Sequence, residues 1–232
     1  MADQVVLAVD VGGSHVKVLT STETERRRFK SGHSLTAAQM VTGVLEVVDG
    51  WPWDVVSVGI PAPVRGGKLV HEPLNLGEGW VGFDYEAAFG KRTKIINDAA
   101  MQAVGSYEGG RMLFLGLGTG LGSALIADGV IEPLELSHLP FRKKTFEDYV
   151  GERGLEKAGK KKWKQAVFET VEQLTAAMEP DEVVLGGGGV QELDELPPGC
   201  RRGANENAFL GGFRLWDPDW PGPASGRAQA EA

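Results

Sequence analysis

Two glycine-rich turns are the segments of this sequence best suited to bind a phosphate. The first is Asp10-Val-Gly-Gly-Ser14, and the second runs Gly116-Leu-Gly-Thr-Gly-Leu-Gly122. Backbone N–H groups in such turns can form a concave nest for phosphate oxygens, and a missing Cβ lets the phosphate approach closely. Ser14 and Thr119 add hydroxyl donors. Together the turns predict a phosphate clamp, with a pair of ordinary hairpin turns as the alternative interpretation.

Two further places have side chains that could bind or deprotonate a hydroxyl substrate. Asp98 follows Asn97 where a strand gives way to a helix, so its carboxylate could act as a general base toward a hydroxyl that attacks phosphorus. Its structural alternative is a helix N-cap. Glu135 and His138, three residues apart, could hydrogen-bond adjacent hydroxyls of a sugar. A metal-binding role for His138 is less favoured, because no second His or Cys lies nearby.

The elements that must position these residues repeat in two halves. Apolar runs predict strands at 4–10, 16–19, 26–30, 55–60 and 94–97, and again at 112–117, 123–127, 130–134 and 182–185. Helices are predicted at 34–48 with Ser34 as N-cap, at 98–107, twice within 145–178 with the second from about 162, and at 205–216. Neither glycine turn is followed by the Gly-Lys-Ser/Thr of a Walker A loop, and a strand follows each turn where a Rossmann loop would have a helix. The repeated pattern suggests an internal duplication with its seam near Gly109-Gly110.

Composition narrows the class of protein. The chain has 232 residues, of which 42% are hydrophobic, enough for a sizeable core. The single Cys200 excludes a disulfide framework and a cysteine-cluster metal site. No apolar run reaches membrane-spanning length and no secretory signal is visible, so a cytoplasmic protein with no membrane partner is expected. The net charge of −8 argues against a nucleic-acid binder.

The charge is unevenly distributed along the chain. Residues 142–164 hold nine lysines and arginines against four acidic residues, a local charge of +5, which leaves −13 for the remainder. Such a basic island is either a solvated helix face or a site for a polyanion.

Four segments carry a resemblance to the sugar kinases of the ROK family, and most of all to its polyphosphate glucokinase branch. They are Asp10-Val-Gly-Gly-Ser-His-Val-Lys17, Asn97-Asp98-Ala99, Gly118-Thr-Gly-Leu-Gly-Ser-Ala-Leu125 and Glu135-Leu-Ser-His138. The resemblance spans roughly residues 4–216. It implies an α/β, actin-like (ribonuclease-H-like) fold of two lobes, 1–108 and 109–204, with a hexose between them. A helix over 205–216 would pack back on the lobes, and 217–232 would form a disordered tail.

The resemblance also implies residue roles. Asp98 would be the catalytic base, and Asp10 would hold Mg²⁺ indirectly, with no zinc expected because the family's cysteine motif is absent. Hexose contacts would come from Ala62, Asn75, Asn97, Asp98, Glu135, His138 and Glu147. Phosphate contacts would come from Asp10, Gly12, Gly13, Ser14, Lys17, Gly118, Thr119 and Gly120. The far end of the donor would meet Gly187, Gly188, Lys143, Lys144, Lys160, Lys161 and Lys162.

The implied activity is phosphoryl transfer to the 6-hydroxyl of glucose. Polyphosphate is the favoured donor because a linear polyanion needs a local run of cations, with ATP as a poorer donor. The alternatives are an ATP-dependent hexokinase for another hexose and a non-catalytic sugar-binding protein. Departures from the family pattern at Ala62, Ala100 and Ser137 keep the last alternative open. No DNA partner is expected, and since family members are often dimers, a homodimer is the assembly that the resemblance suggests.

Overall fold

The computed structural model describes residues 4–204 and 206–220 of the chain. The strands are β1 (Val6–Val11), β2 (His15–Thr20), β3 (Arg27–Lys30), β4 (Val55–Ile60), β5 (Val64–Arg65), β6 (Lys68–Leu69), β7 (Thr93–Asn97), β8 (Arg111–Leu117), β9 (Leu121–Ala127), β10 (Val130–Leu134), β11 (Pro140–Phe141), β12 (Lys144–Thr145), β13 (Glu182–Gly186) and β14 (Cys200–Arg202). The helices are α1 (Ala37–Val47), α2 (Tyr85–Phe89), α3 (Asp98–Ser106), α4 (Phe146–Val150), α5 (Glu152–Ala158), α6 (Lys160–Met178) and α7 (Asn207–Arg214), with a 3₁₀ helix at Gly188–Glu192.

Two five-stranded sheets share one topology. The first has the strand order β3-β2-β1-β4-β7 and the second β10-β9-β8-β13-β14. In each sheet an antiparallel hairpin leads into parallel strands, β1-β4-β7 in the first and β8-β13-β14 in the second. Each glycine-rich turn therefore joins the first two strands of its sheet.

Helices cover both faces of each sheet, in five layers. An apolar core under α1 and α2 supports the outer face of the first sheet, and another under α4–α6 supports the outer face of the second. The third core lies between the two sheets and contains most of α3 together with α7. This mixed α/β architecture places α3, and so Asp98 at its first residue, between the two sheets.

The α3–α7 pair depends on backbone contact through glycine. A Cβ on Gly105 would lie 1.8 Å from the Asn207 carbonyl oxygen, and one on Gly211 would lie 1.8 Å from that of Met101. On its other side α7 contacts the first sheet, where the buried Ser57 hydroxyl donates a 2.7 Å hydrogen bond to the Gly212 carbonyl. Residues near the end of the chain thus complete the central layer.

Several local predictions differ from the structure. Helix α1 is capped by Thr36 rather than Ser34, because Thr36 and Gln39 form a reciprocal capping box with hydrogen bonds of 3.2 and 3.0 Å. The 145–178 segment forms three helices rather than two, because Gly151 and Gly159 interrupt it, Gly159 at a φ of 75°. The final helix spans Asn207–Arg214, shorter than predicted.

A disordered tail is predicted for residues 217–232, and most of it, 221–232, lies outside the described residues. Within its described part, the Trp220 ring packs edge-on against Tyr107 at 5.7 Å. Within residues 4–204 and 206–220, no helix combines the length and apolar character needed to cross a membrane.

Candidate active site

Asp98 lies where the parallel strands of the first sheet end. Asp10 near the end of β1 pairs in register with Gly59 of β4, and Asn97 ends β7 next to it. A Cβ on Gly59 would lie 3.4 Å from the Asp98 Cα and 2.5 Å from the Met101 methyl, so glycine is needed there for α3 to begin so close to the sheet. Ligands of open α/β sheets bind at this carboxyl edge.

The N-cap of α3 is Asn97, not Asp98. The Asn97 Oδ1 accepts the Ala100 N–H at 3.0 Å, and its Nδ2 donates to the Ala62 carbonyl at 3.3 Å. The Asp98 carboxylate accepts only the N–H of the next residue, Ala99, at 2.8 Å among the described residues. Asp98 therefore has acceptor capacity left for a substrate hydroxyl.

The surroundings of Asp98 weaken its acidity. Burial raises the pKa of its carboxyl to about 7, and the nearby negative charge of Asp10 adds to this. Glu135 contributes in the same direction, while the hydrogen bond from Ala99 opposes it. Carboxylates from β1, from α3 and from the segment after β10 therefore lie close enough to act on one another.

One of the backbone N–H groups of the first glycine turn is used in a hydrogen bond within its own hairpin. Gly12 N–H donates to the His15 carbonyl at 3.0 Å, whereas the N–H groups of Gly13 and Ser14 donate to no acceptor in the described part of the chain. Both residues are exposed. Lys17 Nζ lies 3.2 Å from Asp10 Oδ2, which brings a cation to the same turn. The turn therefore offers two free backbone donors and one lysine to an anion.

Asn75 reaches this turn from another part of the chain. A Cβ built on Gly13 would lie 3.9 Å from the Asn75 Cβ. The structure thus places Asn75, which is distant in sequence, beside the first glycine turn.

The second glycine turn reaches the same helix end. A Cβ on Gly122 would lie only 2.7 Å from the Ala99 Cβ, so β9 packs directly on the beginning of α3. Gly118 N–H donates to the Gly120 carbonyl at 3.2 Å, and the Gly118 carbonyl accepts the Glu152 N–H at 2.9 Å. The two turns therefore approach Asp98 from opposite sheets.

Glu135, His138 and Glu147 form a row beside the second turn. The Nε2 of His138 lies 3.9 Å from Glu135 Oε1, and its Nδ1 lies 3.7 Å from Glu147 Oε1. Glu147 Oε2 would lie 2.9 Å from a Cβ on Gly120. Roughly half of each of the three side chains is exposed, so the row can meet a ligand.

Ser137 positions two carboxylates of this row, a role that the sequence does not indicate. Its hydroxyl donates a short hydrogen bond to Glu135 Oε1, and its carbonyl accepts the Glu147 N–H at 3.1 Å. Ser137 is buried and thus links the two carboxylates of the row. The sequence analysis assigns no site role to Gly59 or Gly122, although a glycine inside a strand is a signal of close backbone approach.

The glycines of 186–189 pack against the second turn. A Cβ on Gly187 would lie 2.4 Å from the Leu117 carbonyl oxygen, and one on Gly189 would lie 3.0 Å from it. Of residues 4–204 and 206–220, none apart from its chain neighbours lies within 4 Å of a Cβ on Gly188. The buried Trp163 ring of α6 lies 3.4 Å from the Gly189 position, so α6 begins next to this segment.

The basic island is divided by the fold. Lys160, Lys161 and Lys162 start α6 near the glycines of 186–189, whereas Lys143 and Lys144 belong to the β11–β12 hairpin. That hairpin is tied by the Arg142–Glu169 ion pair to the middle of α6, about 14 Å along the helix from its start. The five lysines therefore do not form one cluster.

A magnesium ion fits this site through Asp10. Mg²⁺ is usually held by one or two carboxylates together with waters and the phosphates of a substrate. Lys17 contacts one oxygen of the buried Asp10 carboxylate, and the other is available. No group of three or more His, Cys, Asp or Glu side chains within the described ranges could hold a metal by itself, so the donor phosphates would have to complete the coordination.

Comparisons with known proteins agree with this architecture. No family model matches the chain. The polyphosphate glucokinase of Mycobacterium tuberculosis (strain ATCC 25618 / H37Rv) is 27% identical over 212 residues, covering 82% of this chain and 80% of the relative. The crystal structure of the inorganic polyphosphate/ATP-glucomannokinase from Arthrobacter sp. strain KM superposes with a TM-score of 0.79 at 23% identity, over 91% of this chain and 97% of the other.

A ROK-family glucokinase from Streptomyces griseus, in complex with glucose and AMPPNP, superposes with a TM-score of 0.75 at 13% identity, over 91% of this chain and 98% of the other. The resemblance to ROK-family sugar kinases, with the polyphosphate glucokinases among them, is thereby confirmed. So is the α/β, actin-like two-lobed fold.

Proposed function

We propose that this chain, which resembles ROK-family sugar kinases in sequence and fold, transfers the terminal phosphoryl group of inorganic polyphosphate to the 6-hydroxyl of glucose. The observation that carries the proposal is the convergence of two glycine turns on the helix end that holds Asp98. Phosphoryl transfer needs a donor cradle and a base beside the acceptor hydroxyl, and this arrangement supplies both.

Asp98 acts as the base. Its carboxylate takes the proton of the 6-hydroxyl while that oxygen attacks the terminal phosphorus in line, and the bond from this phosphorus to the rest of the donor breaks. A base is most effective when its pKa lies near the working pH, and burial has raised the pKa of Asp98 to about 7. The products are glucose 6-phosphate and a donor shortened by one phosphate.

The glycine turns hold the donor. The N–H groups of Gly13 and Ser14, which have no acceptor in the described part of the chain, would bind one phosphate, and the second turn, with Thr119 and Gly120, would bind another. Lys17 adds a positive charge beside Asp10. A bound Mg²⁺, held through Asp10, would supply further neutralisation of the phosphate oxygens.

The sugar is held by the acid–histidine–acid row. Glu135 and Glu147 accept hydrogen bonds from hexose hydroxyls, and His138 between them either donates or accepts. The Asn97 side chain has a second N–H that is not used in its hydrogen bonds to Ala100 and Ala62. Asn75 lies beside the first turn.

Two features favour polyphosphate over ATP. The start of α6 with Lys160–Lys162 adjoins the glycines of 186–189, so a linear donor leaving the second turn meets cations. Gly187, Gly188 and Gly189 offer little apolar surface on which an adenine ring could stack. ATP remains a poorer donor in this proposal.

The test is glucose phosphorylation by the wild type with each donor at rising salt, alongside Asp98→Asn. We expect turnover with polyphosphate that weakens as salt screens the lysines, and a loss of kcat of about 10²–10⁴-fold in the variant with sugar binding kept. Equal rates with ATP, together with salt-insensitive use of polyphosphate, would assign the donor to ATP. Sugar binding without turnover in the wild type would make the chain a binding protein.

A further inference from the structure

A short acidic segment lies over the start of α6. We call residues 192–195, Glu-Leu-Asp-Glu, the acidic strap. Its Leu193 is buried in the core of the second lobe, and Arg202 donates hydrogen bonds to the carbonyls of Val190 and Leu193. The backbone of the strap is therefore held in place, while its charged side chains remain exposed.

All three acids of the strap are paired with lysines of α6. Lys160 Nζ lies 3.1 Å from Asp194 Oδ1 and 3.9 Å from Glu192 Oε2, and Lys164 Nζ lies 3.0 Å from Glu195 Oε1. Asp194 and Glu195 are each 73% exposed, so water screens these pairs and each is weak. The pairs can therefore exchange for another anion at little cost.

These lysines adjoin the donor end of the site. Trp163, between Lys160 and Lys164 in sequence, lies beside Gly189, and Gly189 lies against Leu117 of the second turn. A polyanion that extends from the second turn past the open Gly188 position reaches the start of α6 first. There the strap already pairs with Lys160 and Lys164.

The surface along α6 is favourable for a polyanion only near the start of the helix. A groove of about 1010 Å³ continues along α6 from Lys161 and Lys164, but Glu169, Glu172 and Glu195 also line it. Because Arg142 pairs with Glu169, three cations match the three carboxylates, so the groove offers phosphate no net positive charge. The cations around Lys160–Lys164 therefore mark the end of the path.

We infer that the acidic strap is a built-in competitor for the phosphate donor: its carboxylates occupy Lys160 and Lys164 until a polyphosphate long enough to pass Gly188 displaces them. This inference rests on the proposed function. Short donors that end at the glycine turns gain nothing from displacing the strap, whereas long donors must displace it to gain the lysines. The strap thus weakens the binding of long chains and limits their advantage over short ones.

The experiment compares Asp194→Asn/Glu195→Gln with the control Glu25→Gln/Glu46→Gln. The control makes the same change in net charge at exposed acids of the first lobe for which no ion pair is found within the described ranges. The KM for long-chain polyphosphate, for ATP and for glucose is measured at low and high salt. We expect the strap variant to lower the KM for long-chain polyphosphate about threefold to tenfold at low salt, with the other two constants unchanged.

A double-mutant cycle separates displacement from a general charge effect. The gain from Glu195→Gln should disappear in a Lys164→Met background, because Glu195 then has no cation to release. An unchanged KM in the strap variant, an equal change in the control, or a gain that survives Lys164→Met would each overturn the inference. A wild type that turns over ATP but not polyphosphate would instead reject the proposed donor, and the inference with it.

Discussion

Asp98→Asn should stabilise the protein at alkaline pH while it abolishes most activity. In the folded chain the pKa of the Asp98 carboxyl is about 7, against an ordinary value of 3.8, because burial and the charge of Asp10 disfavour the ionised form. In the unfolded chain the same carboxyl ionises freely. Folding must therefore either keep the proton or bury the charge, and both cost stability above about pH 4.

The sign and size of the effect follow from this difference. The cost is absent below the unfolded pKa, grows between about pH 4 and 7, and is fully present above about 7. The difference between a pKa of about 7 in the folded chain and 3.8 in the unfolded chain corresponds to at most ~4 kcal/mol, at about 1.36 kcal/mol per pH unit. Water at the partly exposed site reduces this cost. The neutral amide that Asp98→Asn introduces does not carry this cost, and its oxygen can still accept the Ala99 N–H.

The assay is urea unfolding of the wild type and the variant at pH 4, 6 and 8.5. The free energies of unfolding should agree at pH 4 and diverge by one to several kcal/mol at pH 8.5, with the variant more stable. Asp84→Asn is the matched control, because the exposed Asp84 accepts the Ala87 N–H at 2.9 Å at the start of α2 and the same swap there should be near neutral at every pH. A variant that is equally or less stable at pH 8.5 would refute the assignment of Asp98 to a charge-disfavouring cleft.

Three other perturbations test the site and its support. Gly122→Val should lower kcat at least tenfold in steady-state assays, because the new side chain pushes the second turn away from the start of α3. Gly118→Ala should lower kcat less, because a Cβ there meets no described residue within 4 Å. Ser137→Gly should change the KM for glucose while leaving the KM for the donor alone, because it frees one oxygen of Glu135; equal changes in both constants would contradict this. Thr36→Ala should lower the free energy of unfolding by about 1 kcal/mol in urea with kinetics unchanged, since it removes the capping box of α1.

The two hairpins and their glycine turns could be predicted because their signals are local. The β-branched runs that became β1 and β4 are continuous and flanked by turn residues. As a result, β4 has the predicted bounds, 55–60, and β1, predicted at 4–10, spans Val6–Val11. The cap of α1 also has a local signal, since Thr36 and Gln39 have the spacing of a capping box, and the predicted cap, Ser34, is wrong.

Features that depend on distant contacts could not be read from the sequence. The basic island appears as one block along the chain, yet Arg142 pairs with Glu169 and Lys160 with Asp194, and these partners are set by how α6 packs. The raised pKa of Asp98 likewise depends first on burial by the surrounding fold, and then on the charge of Asp10, which lies far earlier in the chain. Spacing in sequence carries no information on such pairings.

The glycine-mediated contact between α3 and α7 has a consequence for how the catalytic helix is held. The helix that carries Asp98 and its neighbour at Asn207–Arg214 are separated along the chain by the whole second sheet. Until α7 docks, the small side chains along α3 that fit against it have no partner. A chain can therefore keep the hairpins of both sheets and still lack a settled catalytic helix, so damage to the α3–α7 contact should remove catalysis before it unfolds either sheet.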